Sequence, residues 1–113
     1  MALARKFSDQ LQLFCQQANE LAALNTADAV LFLMERPADW SKLREAVGKH
    51  PILLAGDSLE TLAGASADEF KIIIVNKPPE SPLFDRLTHA FLECVAKEIV
   101  SPGATIVAVY SGF

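Results

Sequence analysis

The sequence has few of the residues on which metal sites, disulfide frameworks and nucleophilic enzymes depend. Its 113 residues contain two cysteines and two histidines. Cys15 and Cys94 lie in segments with helical spacing, and neither has a second thiol or a histidine at the spacing of a metal site. We therefore expect two buried, apolar thiols of a reducing compartment, and no metal or cofactor.

Clustered positive charge and long hydrophobic runs are also absent. The formal net charge is −4 and the lysines and arginines are scattered, whereas neutralising a phosphate backbone needs clustered cations. No stretch approaches the roughly 18 apolar residues that cross a bilayer, and the N-terminal segment lacks the apolar core of a signal peptide. These absences predict a cytoplasmic protein without nucleic-acid or membrane partners.

Sequence motifs for nucleotide binding and catalysis are missing as well. No Walker-type phosphate loop and no Gly-x-Gly-x-x-Gly run occurs. No Ser or Cys nucleophile can be matched with a base and an orienting group. The sequence therefore predicts no catalytic residue.

The sequence does contain four short apolar runs, at residues 29–34, 52–55, 70–75 and 104–110. They lack polar alternation, which is typical of strands covered on both faces. Between them, helical spacing predicts helices from near Ser8 to near Asn25, from Trp40 to about Val47, briefly after Gly56-Asp57-Ser58, and from Ser81 to about Val100.

This alternation predicts a three-layer α/β/α sandwich around a mostly parallel sheet. We expect the strand order 3-2-1-4, and a fifth strand beyond Phe113 is an alternative because exposed sheet edges are usually shielded. Residues 1–113 are expected to form one domain, the N-terminal part of a longer chain.

Side-chain spacing also predicts the helix caps and the buried helix faces. Asp39 and Gly48 are expected to cap the second helix, and Ser81 is expected to cap the last one. Trp40 either packs the second helix against the core or lies in an interface. The buried stripes are expected to be Phe7, Leu11, Phe14, Ala18 and Leu21 in the first helix, and Phe84, Leu87, Phe91, Cys94 and Val95 in the last.

Candidate ligand-binding residues follow from the rule that parallel sheets bind ligands beyond the carboxyl ends of their strands. The candidates are Glu35, Arg36, Asp57, Ser58, Ser111 and Gly112. With the strand order 3-2-1-4, the connections reverse direction between strands 1 and 4, so the expected crevice lies between Glu35-Arg36 and Ser111-Gly112.

Each of the two polar groups has a structural alternative to ligand binding. Glu35 and Arg36 either bind a polar ligand or are solvated or paired with each other. The backbone amides at Gly56-Asp57-Ser58 could hold an anion at a helix start. Alternatively, Asp57 caps that helix in a capping-box-like spacing with Glu60.

The element order, with Ala27-Asp28-Ala29-Val30 at the first strand and Pro102-Gly103 before the last, resembles the C-terminal domain of pyruvate kinases. That domain holds an effector phosphate in a Ser/Thr- and Gly-rich loop after its first strand. Here residues 35–40 have neither the hydroxyl-rich run nor the glycine, and pyruvate kinase chemistry belongs to a different domain. The resemblance therefore implies the fold and neither the effector nor the activity.

A closer resemblance is to the N-terminal domain that precedes the catalytic domain in a branch of bacterial and archaeal diadenylate cyclases, the DNA-integrity-scanning-like nucleotide-binding proteins. It is carried by residues 27–31, Asp39-Trp40, Ser101-Pro102-Gly103 and residues 109–113. In that family the cyclase domain binds and condenses two ATP molecules with Asp-Gly-Ala and Arg-His-Arg motifs. Neither motif occurs in this chain.

The resemblance implies a non-catalytic regulatory or ligand-sensing module of a protein that forms cyclic di-AMP. Such a module would take a small anionic or nucleotide-like ligand and would act on a downstream catalytic domain of the same protein. The alternative is a protein-interaction domain without a small-molecule ligand, which forms a homo-oligomer or pairs with a neighbouring domain through apolar helix faces and the exposed sheet edge.

Overall fold

The computed structural model describes residues 9–65, 70–75, 77–78 and 80–110 of the chain. Helices and strands alternate along it, as predicted, with a single 3₁₀ turn after the second strand. The elements are α1 (Asp9–Leu24), β1 (Ala29–Leu33), α2 (Trp40–Val47), β2 (Ile52–Gly56), the 3₁₀ turn (Glu60–Leu62), β3 (Lys71–Ile74), α3 (Leu83–Ala96) and β4 (Ile106–Val109).

The four strands form one parallel sheet in the order β3-β2-β1-β4, which confirms the predicted order. Every residue of β1 and β2 is buried, as their continuous apolar sequences predict. The prediction that the last strand is also covered on both faces is wrong. In β4 only Val109 is buried and Ala108 is exposed, because β4 lies at the edge of the described sheet and pairs with β1 alone.

Helices α1 and α2 cover one face of the sheet, over Phe32 of β1 and Leu54 of β2. The buried stripe of α1 is Leu11, Cys15, Ala18 and Ala22. The prediction for Leu21 is wrong because this side chain is exposed, and the predicted Phe7 lies outside the described residues. Small side chains at three of the four buried positions let α1 approach the sheet closely.

The capping residues predicted for α2 are confirmed. The Asp39 carboxylate accepts a hydrogen bond from the Lys42 N–H at 3.2 Å, and Gly48 ends the helix with φ 79°. The packing alternative for Trp40 is also confirmed. Its ring is buried, contacts Phe70 edge-on with the centroids 6.1 Å apart, and donates its indole N–H to the Ala63 carbonyl at 2.8 Å.

Helix α3 covers the opposite face of the sheet and packs over Leu31, Leu53 and Ile73. Its buried residues are Arg86, Ala90 and Cys94, so the predicted stripe is wrong for two of its five members. Phe84 is 78% exposed and Val95 is exposed, while Leu87 and Phe91 are half-buried. The helix is rotated so that its small residues face the sheet.

Both ends of α3 also differ from the prediction. Pro82 takes the N-cap position in an extended conformation, without a side-chain hydrogen bond, so Ser81 lies one residue too early to cap the helix. The helix ends at Ala96, before the predicted Val100, because Glu98 adopts a positive φ of 58° that no right-handed helix accommodates. No helix in the described ranges combines the length and apolarity needed to cross a bilayer.

Candidate functional site

A cavity opens at the carboxyl edge of the sheet, above the ends of β1, β2 and β3. Its volume is about 410 Å³, within the range of about 300–1,000 Å³ typical of small-molecule sites. It is lined by the residues after these strands, by the 3₁₀ turn and by α3: Leu33, Met34, Glu35, Arg36, Pro37, Asp57, Ser58, Glu60, Thr61, Val75, Lys77 and Arg86. This is the edge at which parallel sheets bind ligands.

A second hollow, of about 540 Å³, lies at the opposite, amino edge of the sheet. Its described lining carries two charged side chains, Asp28 and Lys71, and the Asp28 carboxylate already accepts the Thr105 N–H at 2.9 Å. The carboxyl-edge cavity has three acidic and three basic side chains in its lining. Because convergent polar groups in a concave surface are typical of a binding site, the carboxyl-edge cavity is the candidate site.

Four of the six residues predicted for the site line this cavity. Glu35 and Arg36 follow β1, and Asp57 and Ser58 follow β2. Glu35, Arg36 and Asp57 are exposed and Ser58 is half-buried. The predicted residues 111 and 112 lie outside the described residues. The cavity extends from the end of β1 toward β2 and β3, whereas the predicted crevice lies between β1 and β4.

Asp57, Ser58 and Thr61 form a hydrogen-bonded group on the cavity wall. The Thr61 hydroxyl donates to Asp57 Oδ1 at 2.6 Å, and the Thr61 N–H donates to Ser58 Oγ at 3.4 Å. The expected capping box with Glu60 is wrong, because the 3₁₀ turn has Leu59 at its N-cap and no side-chain cap hydrogen bond. Asp57 therefore accepts a hydrogen bond from Thr61, and this bond keeps its carboxylate beside the cavity.

Gly56 allows the 3₁₀ turn to lie against the end of β2. A Cβ atom at this position would stand 2.9 Å from Cγ2 of Thr61 and 3.2 Å from Cγ of Leu62. The shorter distance is one that carbon atoms in folded proteins do not tolerate without displacement. The absence of a side chain at Gly56 therefore lets Thr61 reach Asp57.

Arg86 was not among the predicted candidates, although it belongs to the cavity wall. It lies in the second turn of α3, lines the cavity and is only 8% exposed. Its Nε–H donates to the Ser81 carbonyl at 3.1 Å, and its Nη1 is 3.8 Å from Glu35 Oε1. The Tyr110 ring centroid is 5.3 Å from its Cζ, a distance typical of cation–π contacts. A charged group is rarely buried to this extent without partners.

The two cysteines do not take part in the described cavity lining. Both are buried, as expected. Burial raises the pKa of Cys15 to about 12, and burial, together with the neighbouring Glu93 carboxylate, raises the pKa of Cys94. Thiols that stay protonated are poor nucleophiles and poor metal ligands. Within the described ranges, no three His, Cys, Asp or Glu side chains come together to hold a metal ion.

Together these features define a parallel α/β domain with an open, charged cavity at the carboxyl edge of its sheet. A pyruvate kinase from Cryptosporidium parvum has a similar fold, with a TM-score of 0.72 and 16% identity over 93% of this chain and 21% of the enzyme. A second structure of a pyruvate kinase from Cryptosporidium parvum has a TM-score of 0.72 and 14% sequence identity, over 96% of this chain and 22% of the enzyme. The predicted pyruvate kinase-like fold is confirmed, and the chain spans about a fifth of the length of these enzymes.

The chain belongs to the family described as "Probable sensor domain DacZ_P", whose model matches residues 10–113. This family agrees with the regulatory, sensor-type domain that the resemblance to the diadenylate cyclase N-terminal domain implies. No curated protein sequence matches the chain.

Proposed function

We propose that this chain is a non-catalytic, ligand-sensing N-terminal module of a cytoplasmic, diadenylate-cyclase-like protein. In this proposal the carboxyl-edge cavity binds a small anionic or nucleotide-like ligand. The bound ligand then changes how the module acts on a downstream catalytic domain of the same protein. The family description as a sensor domain and the sequence resemblance to the domain that precedes diadenylate cyclase domains support this assignment.

The observation that carries the proposal is the buried Arg86 side chain in the wall of an open cavity. Keeping a guanidinium away from water is costly unless it has partners, and guanidinium groups suit carboxylate and phosphate recognition because their donors form a planar fork. A structural ion pair would not require the adjoining cavity of about 410 Å³. A ligand with an anionic group would account for both the buried guanidinium and the cavity beside it.

The rest of the lining favours a ligand that also has neutral or cationic hydrogen-bonding groups. Arg36 and Lys77 add positive charge, while Asp57 and Glu60 add negative charge. A simple anion would meet repulsion from the two carboxylates. A nucleotide presents a phosphate to the basic residues and hydrogen-bond donors of its base or ribose to the acidic ones, so it suits the mixed lining.

The lining also favours binding over catalysis. Its described residues include the hydroxyls of Ser58 and Thr61 but no histidine or cysteine. The Thr61 hydroxyl donates to the Asp57 carboxylate, and no third group in the described lining completes a nucleophile, base and orienting group.

Isothermal titration calorimetry with a panel of nucleotides and sugar phosphates tests the proposal. We expect saturable binding of at least one member, and weaker binding by Lys77→Gln, which removes a cation from the cavity lining. The matched control is Lys97→Gln, which removes an exposed lysine that pairs with Glu93 on α3 and is expected to bind as the unchanged protein does. Absence of heat with every compound, at concentrations up to the millimolar range, would refute ligand sensing.

The alternative function, a protein-interaction domain, is favoured by one observation. Helix α3 presents large apolar side chains to solvent, among them Phe84, Leu92 and Val95. Sedimentation velocity distinguishes the two functions. A stable dimer whose sedimentation does not respond to any compound of the panel favours assembly, and a monomer with a saturable ligand favours sensing.

A further inference from the structure

We propose that Arg86 binds the anionic group of the ligand, releases Glu35 in doing so, and transmits the exchange to Tyr110. The inference rests on the proposed function, because it assigns the ligand-holding residue and the first step of signalling to the same cavity. Three observations carry it: the long contacts of the guanidinium, the unequal burial of the ion pair, and the position of Tyr110.

The contacts that the two terminal nitrogens of Arg86 make with the described residues are long. Its Nη1 is 3.8 Å from Glu35 Oε1 and its Nη2 is 3.5 Å from the Tyr110 hydroxyl, whereas charge-assisted hydrogen bonds measure about 2.7–2.9 Å. Among its contacts with the described residues, the Nε–H bond to the Ser81 carbonyl, at 3.1 Å, is the one of ordinary length. A guanidinium has five N–H donors. The terminal nitrogens can therefore form shorter bonds to a ligand anion while Nε stays bound to Ser81.

Glu35 and Arg86 differ in how deeply they are buried. The Glu35 side chain is 34% exposed and the Arg86 side chain 10%. Glu35 can turn into water at little cost, whereas Arg86 left without an anion would be a buried, unpaired charge. An incoming phosphate or carboxylate that replaces Glu35 leaves neither charge buried alone. Without a ligand, Glu35 thus provides the anionic partner of Arg86, and the ligand's anionic group replaces it on binding.

Tyr110 connects this exchange to the edge of the sheet. It follows Val109, the last residue of β4, and its half-buried ring packs on the same side of the sheet as α3. The guanidinium lies near both the ring and the hydroxyl of Tyr110. Any movement of Arg86 toward a ligand changes both contacts. Ligand binding in the cavity therefore alters the surroundings of Tyr110, at the end of β4, through the Arg86 side chain.

Tyr110 can be observed directly because it is the only tyrosine in the chain. Protein labelled with 3-fluorotyrosine gives one ¹⁹F resonance. Without any ligand, Arg86→Lys is expected to shift this resonance. Glu93→Gln is the matched control, since it removes a carboxylate from the Lys97–Glu93 ion pair on α3, and is expected to leave the resonance in place.

The second arm of the experiment adds ATP and, separately, inorganic phosphate. We expect each compound that binds to shift the Tyr110 resonance. Arg86→Lys is expected to weaken ATP binding about 10- to 100-fold, through the loss of the charge-assisted fork. Glu35→Gln is expected to strengthen it about 2- to 5-fold, because a partly exposed competitor is removed. If Arg86→Lys does not fold, Glu35→Gln and the resonance of the unchanged protein decide the question.

The outcomes separate the inference from the proposed function. ATP binding that leaves the Tyr110 resonance unmoved, or that Arg86→Lys and Glu35→Gln do not alter, would overturn the inference while the sensing function stands. Absence of binding by ATP, phosphate and every compound of the calorimetric panel would overturn both.

Discussion

Replacing Gly56 by alanine tests whether the missing side chain at the end of β2 shapes the cavity wall. Two effects oppose each other. Alanine restricts the unfolded chain and so stabilises the protein by about 0.4–1 kcal/mol where its backbone conformation is accepted. The new Cβ atom, however, would lie 2.9 Å from Cγ2 of Thr61 and 3.2 Å from Cγ of Leu62, and overpacking of this kind costs about 1–3 kcal/mol.

The steric effect is expected to dominate. Gly56 is buried, so its neighbours have little room to move, and displacing Thr61 also disturbs its 2.6 Å hydrogen bond to Asp57. We expect Gly56→Ala to lower the free energy of unfolding by about 1–2 kcal/mol. Urea denaturation followed by circular dichroism measures this as a lower midpoint with an unchanged slope.

A second substitution identifies the cause. Thr61→Ser removes the Cγ2 atom but keeps the hydroxyl that bonds Asp57, so it should restore about half of the stability that Gly56→Ala loses, and the two changes should not be additive. Gly103→Ala is the control. No atom of the described residues lies within 4 Å of its Cβ position, but its φ is 86°, so the expected loss of about 1 kcal/mol comes from backbone strain. Thr61→Ser should not restore that loss. A Gly56→Ala protein as stable as the original would refute the steric argument.

Three further predictions concern the cap, a thiol and an exposed ring. Asp39→Ala should lower the unfolding free energy by about 0.5–2 kcal/mol, because the hydrogen bond from the Lys42 N–H is lost. Asp39→Asn should lower it by less, because the amide oxygen can still accept this bond. Urea denaturation measures both changes. Because the pKa of Cys15 rises from 9.0 to about 12 on folding, the folded state binds more protons than the unfolded state between these values, so stability should fall as the pH rises through them. Cys15→Ala should lack this part of the decline in urea titrations at several pH values. Phe84→Ser should change the unfolding free energy by less than about 0.5 kcal/mol, because the ring is mostly exposed; a larger loss in thermal denaturation would show that Phe84 packs in the folded state.

The strand order and the faces of β1 and β2 could be predicted because continuous apolar runs joined by short helical connections leave few arrangements. The buried face of α3 could be predicted only in part. Phe84 and Val95 are more hydrophobic than Arg86 and Ala90, so hydrophobicity assigned two exposed side chains to the buried face. The small residues Ala90 and Cys94 face the strands instead.

The same error concealed Arg86. A lone arginine in a helix is ordinarily solvated, and the hydrophobic pattern of this helix did not single out Arg86. One signal was nevertheless present, because Arg86, Ala90 and Cys94 are spaced four residues apart and share a helix face. Any helix that buries Cys94 toward the sheet brings Arg86 to the carboxyl edge. Glu35, Arg36, Asp57 and Ser58 could be placed at this edge from the ends of the strands alone, whereas their ligand-binding role stays a prediction.

The position of β1 in the sheet has a consequence for synthesis on the ribosome. β1 lies between β2 and β4, yet Asp28, just before β1, bonds with Thr105, 77 residues later. A nascent chain can pair β1 with β2 early, but the other side of β1 gains its neighbour only after the residues of β4 have been synthesised. Because open, apolar strand edges recruit other chains, translation products that stop before Ile106 should aggregate while longer ones stay dispersed.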